Sequence, residues 1–449
     1  MGRLFTGTMR DDSGQPPEGF DVVVCGGGLA GLTLALQLRR EVPEASVAVV
    51  DKARRPLPEA CHKVGESTVE LGAHYLADIV GLRPYLEREQ LPKNGLRFFT
   101  EGGALPLHER SEIGPSDFPV VPSFQVDRGK LENDLRDMCE QRGVTLLEGR
   151  AVADVDIAEG DAPNAVRLEG VERRARAGAT DSEEAPKALQ ARWIVDATGR
   201  RRLIQRKLGL HQDSANRQSA AWFRVRGHVK VGDLVPETER GWHQKDVDGN
   251  RWLSTNHLMG RGYWVWLIPL GTGFTSIGIV ADAGCHPFDR YNRPEQARAW
   301  LAEHEPHLAA HIADLEFADF RVLRHYSYFS QRLLSTDRWI CVGEAGVFVD
   351  PLYSPGTDFI GIGNGFASRL IADDVAGRFD PRVAEELNRF GLRAARDGMN
   401  SLSGNADIFQ HGKTMGSKLW WDFFSYWSFL CQYFAQGIYR LPLEQLQRF

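Results

Sequence analysis

Apolar positions first form a clear pattern in residues 20–51, near the start of the chain. An apolar run at residues 22–25 predicts a buried strand, and apolar side chains at helical spacing over residues 29–40 predict a helix. Glycines separate the two, and a second apolar run ends at Asp51. The order of strand, glycine turn, helix and strand is typical of a parallel α/β sheet.

Further patterns extend this unit. Helical spacing recurs after residue 69 and after residue 131, and an apolar strand at 193–195 runs into the turn 196–200. Ser67 or Thr68 is expected to cap the helix that starts near residue 69. In the middle of the chain, strand-like runs at 221–227, 263–270 and 274–282 follow one another without long helices, which favours an antiparallel sheet.

We therefore predict an α/β fold with a Rossmann-like nucleotide-binding domain, a mostly antiparallel sheet on the substrate side and a C-terminal helical segment. A flexible tail is expected at 1–19, and a discontinuous nucleotide-binding domain at 20–200 and 325–385. A β-sheet domain is expected at 201–324, and a helical cap dense in aromatic residues at 386–449. Residues 173–189, rich in Ala, Arg, Glu and Ser, are expected to form a surface excursion between strands.

The glycines of the first turn have G-x-G-x-x-G spacing, at Gly26, Gly28 and Gly31. Such glycines allow a tight turn, close approach of a pyrophosphate and close packing of helix on strand, and the helix N-terminus offers free N–H groups. An acidic residue about 20 positions after the last glycine can accept from a ribose hydroxyl. The pattern predicts a dinucleotide site that also includes Leu29, Ala30, Asp51 and Lys52.

Composition narrows the class of protein. A formal net charge of −6 gives no sign of a nucleic-acid surface, and 42% hydrophobic residues describe a globular protein. The six cysteines have no C-x-x-C or His/Cys ligand spacing, so no metal site is predicted. No signal peptide or transmembrane segment is recognisable, and we expect a cytoplasmic protein.

Three later segments decide which dinucleotide is expected. D-A-T-G-R at 196–200, G-E-A at 343–345 before D-P-L-Y-S-P-G, and Gln125 with Arg128 ahead of a helix resemble the class A flavoprotein monooxygenases. The resemblance implies FAD as cofactor, with contacts from Gln125, Arg128, Thr198, Gly343, Glu344 and Gly356. Glu344 replaces the usual Asp of the family.

Within that class, the chain resembles the flavin-dependent halogenases from about residue 20 to residue 375. The most specific motifs are W-x-W-x-I-P at 264–269 and K-V-G-E-S-T at 63–68. The resemblance implies that Trp264 and Trp266 lie beside the flavin, that Glu66 and Ser67 contact the cofactor, and that Lys93 is catalytic. In the family, reduced FAD, oxygen and chloride or bromide give hypohalous acid. Lys93 would then act as an ammonium donor to it or as a free amine that forms a haloamine.

Two departures from the family bear on the substrate and the halide. Tyr353-Ser354 replaces the Glu-Ser of tryptophan halogenases, which argues against free tryptophan as substrate. The two backbone N–H groups that hold halide in the family fall on Pro355 and Gly356, and proline has no N–H. Thr357 is the expected substitute donor. Candidate bases near the substrate are His257, Glu70 and Asp358, each of which could equally be a satisfied polar residue.

The sequence thus predicts an FAD-dependent halogenase that receives reduced FAD from a separate flavin reductase. Its expected substrate is an electron-rich phenolic or pyrrolic ring, free or tethered to a carrier protein. Tyr353, Ser354 and Asp358 are expected on the substrate side, and the aromatic tail is expected to cover it. Two alternatives stay open: a related monooxygenase or dehydrogenase that has lost halide use, and a flavin-binding protein without turnover that acts in a complex through its aromatic tail.

Overall fold

The computed structural model describes residues 19–58, 63–170 and 187–448. The expected N-terminal tail up to residue 18, and residues 173–186 of the expected surface excursion, lie outside the described residues. Among the described residues, none of the helices has the length and hydropathy to cross a bilayer.

The strands of the described residues, in chain order, are β1 (Gly19–Cys25), β2 (Val47–Asp51), β3 (Leu91–Lys93), β4 (Leu96–Phe99), β5 (Glu112–Ile113), β6 (Ser123–Gln125), β7 (Thr145–Glu148), β8 (Arg150–Asp156), β9 (Asn164–Gly170), β10 (Ala188–Asp196), β11 (His211–Asp213), β12 (Gln218–Arg226), β13 (Thr255–Gly260), β14 (Tyr263–Pro269), β15 (Phe274–Asp282), β16 (Arg321–Leu323), β17 (Tyr328–Ser330), β18 (Leu334–Ser335) and β19 (Trp339–Cys341).

The α-helices are α1 (Leu29–Glu41), α2 (Glu70–His74), α3 (Arg83–Glu89), α4 (Arg128–Gln141), α5 (Leu203–Lys207), α6 (Arg240–His243), α7 (Pro294–His304), α8 (Pro306–His311), α9 (Gly356–Val375), α10 (Pro381–Leu402), α11 (Gly412–Ser425), α12 (Gln432–Ala435) and α13 (Leu443–Leu446). Two π-helical segments, Tyr75–Ile79 and Tyr426–Cys431, continue α2 and α11.

The first sheet has the strand order β18-β19-β10-β1-β2-β7, with β9 paired to β10 and β8 to β9. Its central strands β19, β10, β1, β2 and β7 are parallel. The register aligns Cys25 with Asp196 and Asp196 with Cys341, so three strands end at the same edge. Ligands of open α/β sheets bind at the carboxyl ends of the strands, and the predicted nucleotide turns therefore meet there.

The second sheet has the order β16-β12-β15-β14-β13-β4-β5 and is antiparallel except for the β13–β4 pair. The predicted α/β fold with a mostly antiparallel second sheet is confirmed. Strands β4 and β5 come from within residues 20–200 yet join this sheet, so the chain crosses the predicted boundary at 200/201. The domain limits themselves stay a prediction.

Helices α1, α4 and α9 cover one face of the first sheet through a core of Val, Leu and Ile side chains. A separate apolar cluster joins the second sheet to the C-terminal helices and includes Trp264 and Trp266 of β14, Met399 of α10 and Leu419 of α11. The C-terminal segment therefore shares an apolar core with the strand that carries the W-x-W motif.

One local expectation is wrong. Helix α2 begins at Glu70 with Val69 as its N-cap, and neither Ser67 nor Thr68 caps it. The Ser67 hydroxyl lies 2.8 Å from that of Thr255, and the Thr68 hydroxyl bonds the backbone of Phe124. Both hydroxyls, which the local pattern assigns to the helix end, instead form hydrogen bonds with residues distant in sequence.

Candidate active site

The glycines of the first turn fit the predicted nucleotide cradle. Gly26 has φ +119°, and a Cβ there would lie 2.3 Å from the carbonyl oxygen of Ala197. A Cβ on Gly31 would lie 2.0 Å from the Gly26 oxygen. Gly28, the N-cap of α1, faces open space, with only the Lys63 amine 3.9 Å from a Cβ built there. A side chain at any of these positions would fill or distort the turn.

A second glycine turn lies against the first. Gly343, with φ +55°, would place a Cβ 3.3 Å from the Cβ of Ala30 in the first turn of α1. The N–H groups of Leu29 and Ala30 at this helix start have no helical acceptor. The two turns therefore form one cradle whose free N–H groups and open Gly28 face suit a pyrophosphate.

Asp51 ends β2 beside this cradle. Its Oδ2 accepts from the Gly27 N–H at 2.7 Å and from the Arg136 guanidinium at 3.0 Å. Its Oδ1 accepts from the Ala53 N–H at 2.8 Å. The carboxylate is thus held in place by the chain, and Lys52 next to it is exposed. Its predicted bond to ribose stays a prediction.

The remaining predicted cofactor residues lie around the same edge of the sheet. Thr198, just after β10, donates its hydroxyl to Asp196 at 2.6 Å. Arg128, at the start of α4, donates to the Val64 carbonyl at 2.9 Å and to Glu132 at 2.6 Å. Arg128 and Glu344 both line a small cavity next to the cradle, and burial raises the pKa of Glu344.

This small cavity, of about 90 Å³, is called the tryptophan cavity here because Trp264 and Trp266 form one wall. Their ring centroids are 5.7 Å apart. Trp266 donates its indole N–H to Ser276 at 3.1 Å, whereas the buried Trp264 Nε1 has no hydrogen-bond partner among the described residues. An orphaned donor at this wall leaves an interaction open for a polar group of a bound flavin.

The start of α9 forms the opposite wall. Gly356 and Thr357 line the tryptophan cavity, and Ser354 before them has φ +57°. The first N–H groups of a helix lack helical acceptors and attract anions. Pro355 is the N-cap residue and contributes no N–H. Gly356 and Thr357 are thus the first residues of α9 with free backbone N–H groups, and halide binding there stays a prediction.

A much larger cavity, of about 1290 Å³, has Lys93 in its lining and is called the lysine cavity here. Val349, Pro355 and Phe359 line both cavities and form the partition between them. The structure therefore brings the W-x-W motif and Lys93 to opposite sides of one thin wall.

Lys93 is only 1% exposed, at the end of β3. Its amine donates to the Ser67 hydroxyl at 2.8 Å and to the Thr68 carbonyl at 2.7 Å. Burial lowers the pKa of this amine to about 7, although the charges of Glu70 and Asp358 oppose the change. An amine with this pKa is partly neutral near pH 7, when an exposed lysine would be fully charged.

Ser67 and Gln125 join a hydrogen-bond network within the protein, and their predicted contacts with the cofactor stay predictions. The Ser67 hydroxyl joins Lys93 to Thr255, and the Gln125 amide donates to the Thr255 hydroxyl at 3.0 Å. Thr255 lines the tryptophan cavity together with Ser67. A chain of hydrogen bonds therefore runs from the lysine amine to the other side of the partition.

The Glu66 carboxylate is engaged inside the protein, while the residue lines the tryptophan cavity, and its predicted contact with the cofactor stays a prediction. Its Oε1 accepts two hydrogen bonds from Arg224 of β12, at 2.8 and 2.5 Å, and all of these groups are buried. Arg224 also pairs with Asp319 at 3.3 Å. The motif glutamate thus ties its loop to the second sheet. No sequence signal pointed to Arg224, which lies 158 positions away.

Of the residues predicted on the substrate side, Tyr353 and Asp358 line the lysine cavity, whereas Ser354 lines the tryptophan cavity. Asp358 accepts from the Gly72 N–H at 2.7 Å through Oδ1, and burial raises its pKa to about 8. Tyr353 donates its hydroxyl to Asp422 of α11 at 2.8 Å. The loop after β19 is thereby joined to the aromatic C-terminal segment.

The other two candidate bases are now distinguished. His257 donates its Nδ1–H to the Arg97 carbonyl, 3.1 Å away, and burial lowers its pKa to about 3. It lines the tryptophan cavity and is neutral at physiological pH. Glu70 lines the lysine cavity beside Asp358.

Comparison with known proteins gives the family. The model of the FAD binding domain family matches residues 19–357. The chain belongs to this family. As a member of the FAD binding domain family it is an FAD-dependent enzyme, and the open cradle and the orphaned Trp264 donor are consistent with that cofactor.

The predicted resemblance to the flavin-dependent halogenases is confirmed. The chain is 29% identical over 361 residues to the flavin-dependent halogenase chlA of Dictyostelium discoideum, covering 75% of this chain and 57% of that protein. It is 26% identical over 360 residues to the 1H-pyrrole-2-carbonyl-[peptidyl-carrier protein] chlorinase of Pseudomonas fluorescens, covering 75% of this chain and 72% of that protein.

The fold matches a solved halogenase structure. The halogenase PltM in complex with phloroglucinol and FAD superposes with a TM-score of 0.76 at 16% identity. The match covers 96% of this chain and 85% of PltM. It therefore includes the aromatic C-terminal segment, where the sequence resemblance fades.

Proposed function

We propose that this protein is an FAD-dependent halogenase that uses reduced FAD, oxygen and chloride or bromide to halogenate an electron-rich aromatic ring. The observation that carries the proposal is the burial of the Lys93 amine in a large cavity, separated by a thin partition from the tryptophan cavity. The names of the relatives support it, since they include carrier-bound pyrrole halogenases.

The bound cofactor would supply the oxidant that converts halide into hypohalous acid. The glycine turns around Gly28 and Gly343 would hold its phosphates, and Trp264 and Trp266 would lie against its ring. The indole rings and the partition residues would keep the organic substrate away from the flavin. A small neutral electrophile is the species that such an arrangement would let reach the other cavity.

Lys93 would receive that electrophile. Its free amine can attack the halogen of hypohalous acid, forming an N–halogen bond and releasing water. The haloamine then transfers the halogen to the ring, which loses a proton, and the amine is regenerated. A dry cavity favours this route because burial keeps the amine neutral. The substrate would be phenolic or pyrrolic.

Halide would bind at the start of α9, on the N–H groups of Gly356 and Thr357. The missing donor at Pro355 favours a second candidate function, a monooxygenase or dehydrogenase on the same scaffold that does not use halide. Loss of one charge-assisted hydrogen bond costs about 1.5 to 3 kcal/mol. This corresponds to one or two decades in halide affinity and leaves the first candidate feasible at high halide.

The proposed reductant is reduced FAD from a separate flavin reductase, because the sequence contains one G-x-G-x-x-G with a following acid and no second such motif. The acceptor ring could be free or carried on a carrier protein, as in the pyrrole halogenases.

The test supplies the purified protein with FAD, a flavin reductase, its nicotinamide donor, oxygen and either chloride or bromide, together with a panel of phenols and pyrroles. Products are analysed by mass spectrometry. We expect the isotope pattern of the added halogen. Lys93→Ala should lower the rate at least about 10²-fold while FAD binding stays unchanged.

Two results would contradict the proposal. An oxygenated product whose mass is independent of the halide would favour the monooxygenase, and undiminished halogenation by Lys93→Ala would exclude the role of the lysine.

A further inference from the structure

The lysine cavity opens along a strip of aromatic side chains. This strip, called the aromatic rim here, lies on α11 and the π-helical segment that follows it, and consists of Trp420, Trp421, Phe423, Trp427 and Phe429. Their exposed fractions are 80%, 69%, 37%, 40% and 68%. All of them also line the cavity. A helix that merely closed the site would turn such rings inward.

The rim requires an explanation, since soluble proteins rarely expose contiguous large apolar groups unless the surface binds something. Here the surface is continuous with the cavity that Lys93 also lines. This continuity favours the molecule that enters the cavity as the occupant of the rim.

The size of the cavity points to a large ligand. Pockets for drug-sized ligands usually have volumes of roughly 300 to 1,000 Å³. The lysine cavity, at about 1290 Å³, exceeds that range, and a single phenol or pyrrole ring would leave most of it empty. Its lining also includes the apolar residues Phe98, Ile113 and Leu419.

One charged cluster of the lining is neutralised within the protein. Lys418 donates to Asp422 at 2.6 Å, and Asp422 also accepts from Tyr353 and Ser401, each at 2.8 Å. The lining also includes the charged residues Arg393 and Asp397, whereas the aromatic rim consists of flat apolar rings. The rim therefore suits a ligand part that is itself flat and apolar.

We propose that the substrate is an apolar aromatic molecule of several fused or linked rings, with one electron-rich ring beside Lys93 and the others stacked on the aromatic rim. This inference rests on the proposed function for the reaction at the lysine, but binding at the rim is testable without turnover.

The test measures ligand binding to the full, FAD-loaded protein by titration calorimetry, without reductant. The probes are phenol, 2-naphthol and 9-phenanthrol, which share one hydroxyl and differ in ring number. We expect affinity to rise at least about tenfold from phenol to 9-phenanthrol, given the apolar area that each added ring buries. The Trp421→Ala/Trp427→Ala double variant should weaken 9-phenanthrol binding about tenfold and phenol binding less than twofold. Leu208→Ala, which removes an exposed apolar side chain outside the cavity lining, is the control and should change neither.

Several outcomes would overturn the inference. These are equal affinities for the three probes, or equal losses for phenol and 9-phenanthrol in the double variant. The inference also fails if the double variant binds all probes normally but loses another interaction of the wild type. That interaction could be self-association measured by sedimentation, binding to phosphatidylglycerol vesicles measured by flotation, or halogenation of a ring tethered to a carrier protein. Graded binding without halogenated product would leave this inference standing and contradict the proposed function. If phenol and 9-phenanthrol are halogenated with equal kcat/KM, in the wild type and in the double variant alike, the proposed function stands and this inference fails.

Discussion

At the scale of single residues, Lys93 owes its chemistry to its surroundings. Most lysines extend their amines into water and stay charged. Lys93 instead ends a short strand, and neighbouring residues cover its side chain. Its amine donates hydrogen bonds to one hydroxyl and one carbonyl. Desolvation outweighs the nearby carboxylates and lowers its pKa to about 7. The same side chain on the surface would be a poor nucleophile at neutral pH.

A pH profile follows from this pKa. If the free amine is the reacting form, the rate of halogenation in single turnovers should rise with pH through about 7 and then level off. The measurement uses pre-reduced FAD-loaded protein mixed with oxygen, halide and substrate at pH 6 to 9. A rate that falls above pH 7 would instead indicate that the ammonium form donates a hydrogen bond to hypohalous acid.

Ser67 should act as a positioning residue for Lys93. Its hydroxyl accepts from the amine and stabilises the charged form, so Ser67→Ala should shift the midpoint of the pH profile downward by roughly half to one unit. Thr255→Val is the matched control, because Thr255 contacts Ser67 but has no hydrogen bond to Lys93. An unshifted midpoint in Ser67→Ala, with unchanged FAD binding, would show that the hydroxyl is only a packing partner.

At the scale of elements, helix α9 connects the two cavities. Its N-terminus lines the tryptophan cavity through Gly356 and Thr357, while Asp358 one residue later borders the lysine cavity. Asn364 of the same helix donates to the Ala30 carbonyl of α1 at 3.0 Å and to Tyr75 at 2.7 Å. The helix that would hold the halide is therefore fixed directly to the nucleotide cradle.

Restoring the missing N–H at the start of α9 should strengthen halide binding. The φ of Pro355 is −77°, which any residue adopts, so Pro355→Ala should fold with a loss of at most about 1 kcal/mol. We expect the bromide concentration for half-maximal rate to fall about tenfold. Pro381→Ala, at the start of α10, is the control. An unaltered bromide requirement in Pro355→Ala would place the anion elsewhere.

The loop after β19 should restrain the C-terminal segment through Tyr353. Tyr353→Phe removes one of the hydrogen bonds to Asp422 and leaves those from Lys418 and Ser401. Loss of about 1 kcal/mol of local stability should speed hydrogen–deuterium exchange in residues 412–431 roughly fivefold.

The control for this exchange experiment is Tyr291→Phe, whose hydroxyl donates within the second sheet to Ser219 at 3.3 Å. It should leave exchange in residues 412–431 unchanged. Equal exchange in wild type and Tyr353→Phe would mean that apolar packing alone holds the segment.

At the scale of the whole molecule, the sequence predicts those parts of the site that depend on local order. The glycine turn after β1 and the W-x-W strand are short segments whose spacing carries the information. Pairings across the chain are different. Arg224 meets Glu66 across 158 positions, and Ser67 meets Thr255 across 188. Such contacts depend on how the two sheets meet, which no local pattern records.

Lys93 and Asp358 should make the stability of the protein depend on pH in opposite ways. Folding lowers the pKa of Lys93 from 10.5 to about 7, so the unfolded chain binds more protons between these values, and stability rises with pH in that window. Folding raises the pKa of Asp358 from 3.8 to about 8, so the folded chain binds more protons there, and stability falls as pH rises.

The two contributions combine into a definite profile for variants. Lys93→Met should raise the Tm most below pH 7, with a gain that shrinks toward pH 10, because the buried charge is then already absent from the wild type. Asp358→Asn should do the opposite, with a gain that grows from pH 4 to pH 8. Both penalties are large between pH 7 and 8, so the double variant should gain most there, on the order of a few kcal/mol. Thermal unfolding from pH 4 to 10 measures all three. Parallel pH profiles for the two single variants would mean that these groups keep ordinary pKa values in the folded protein and that the cavity around them is open to water.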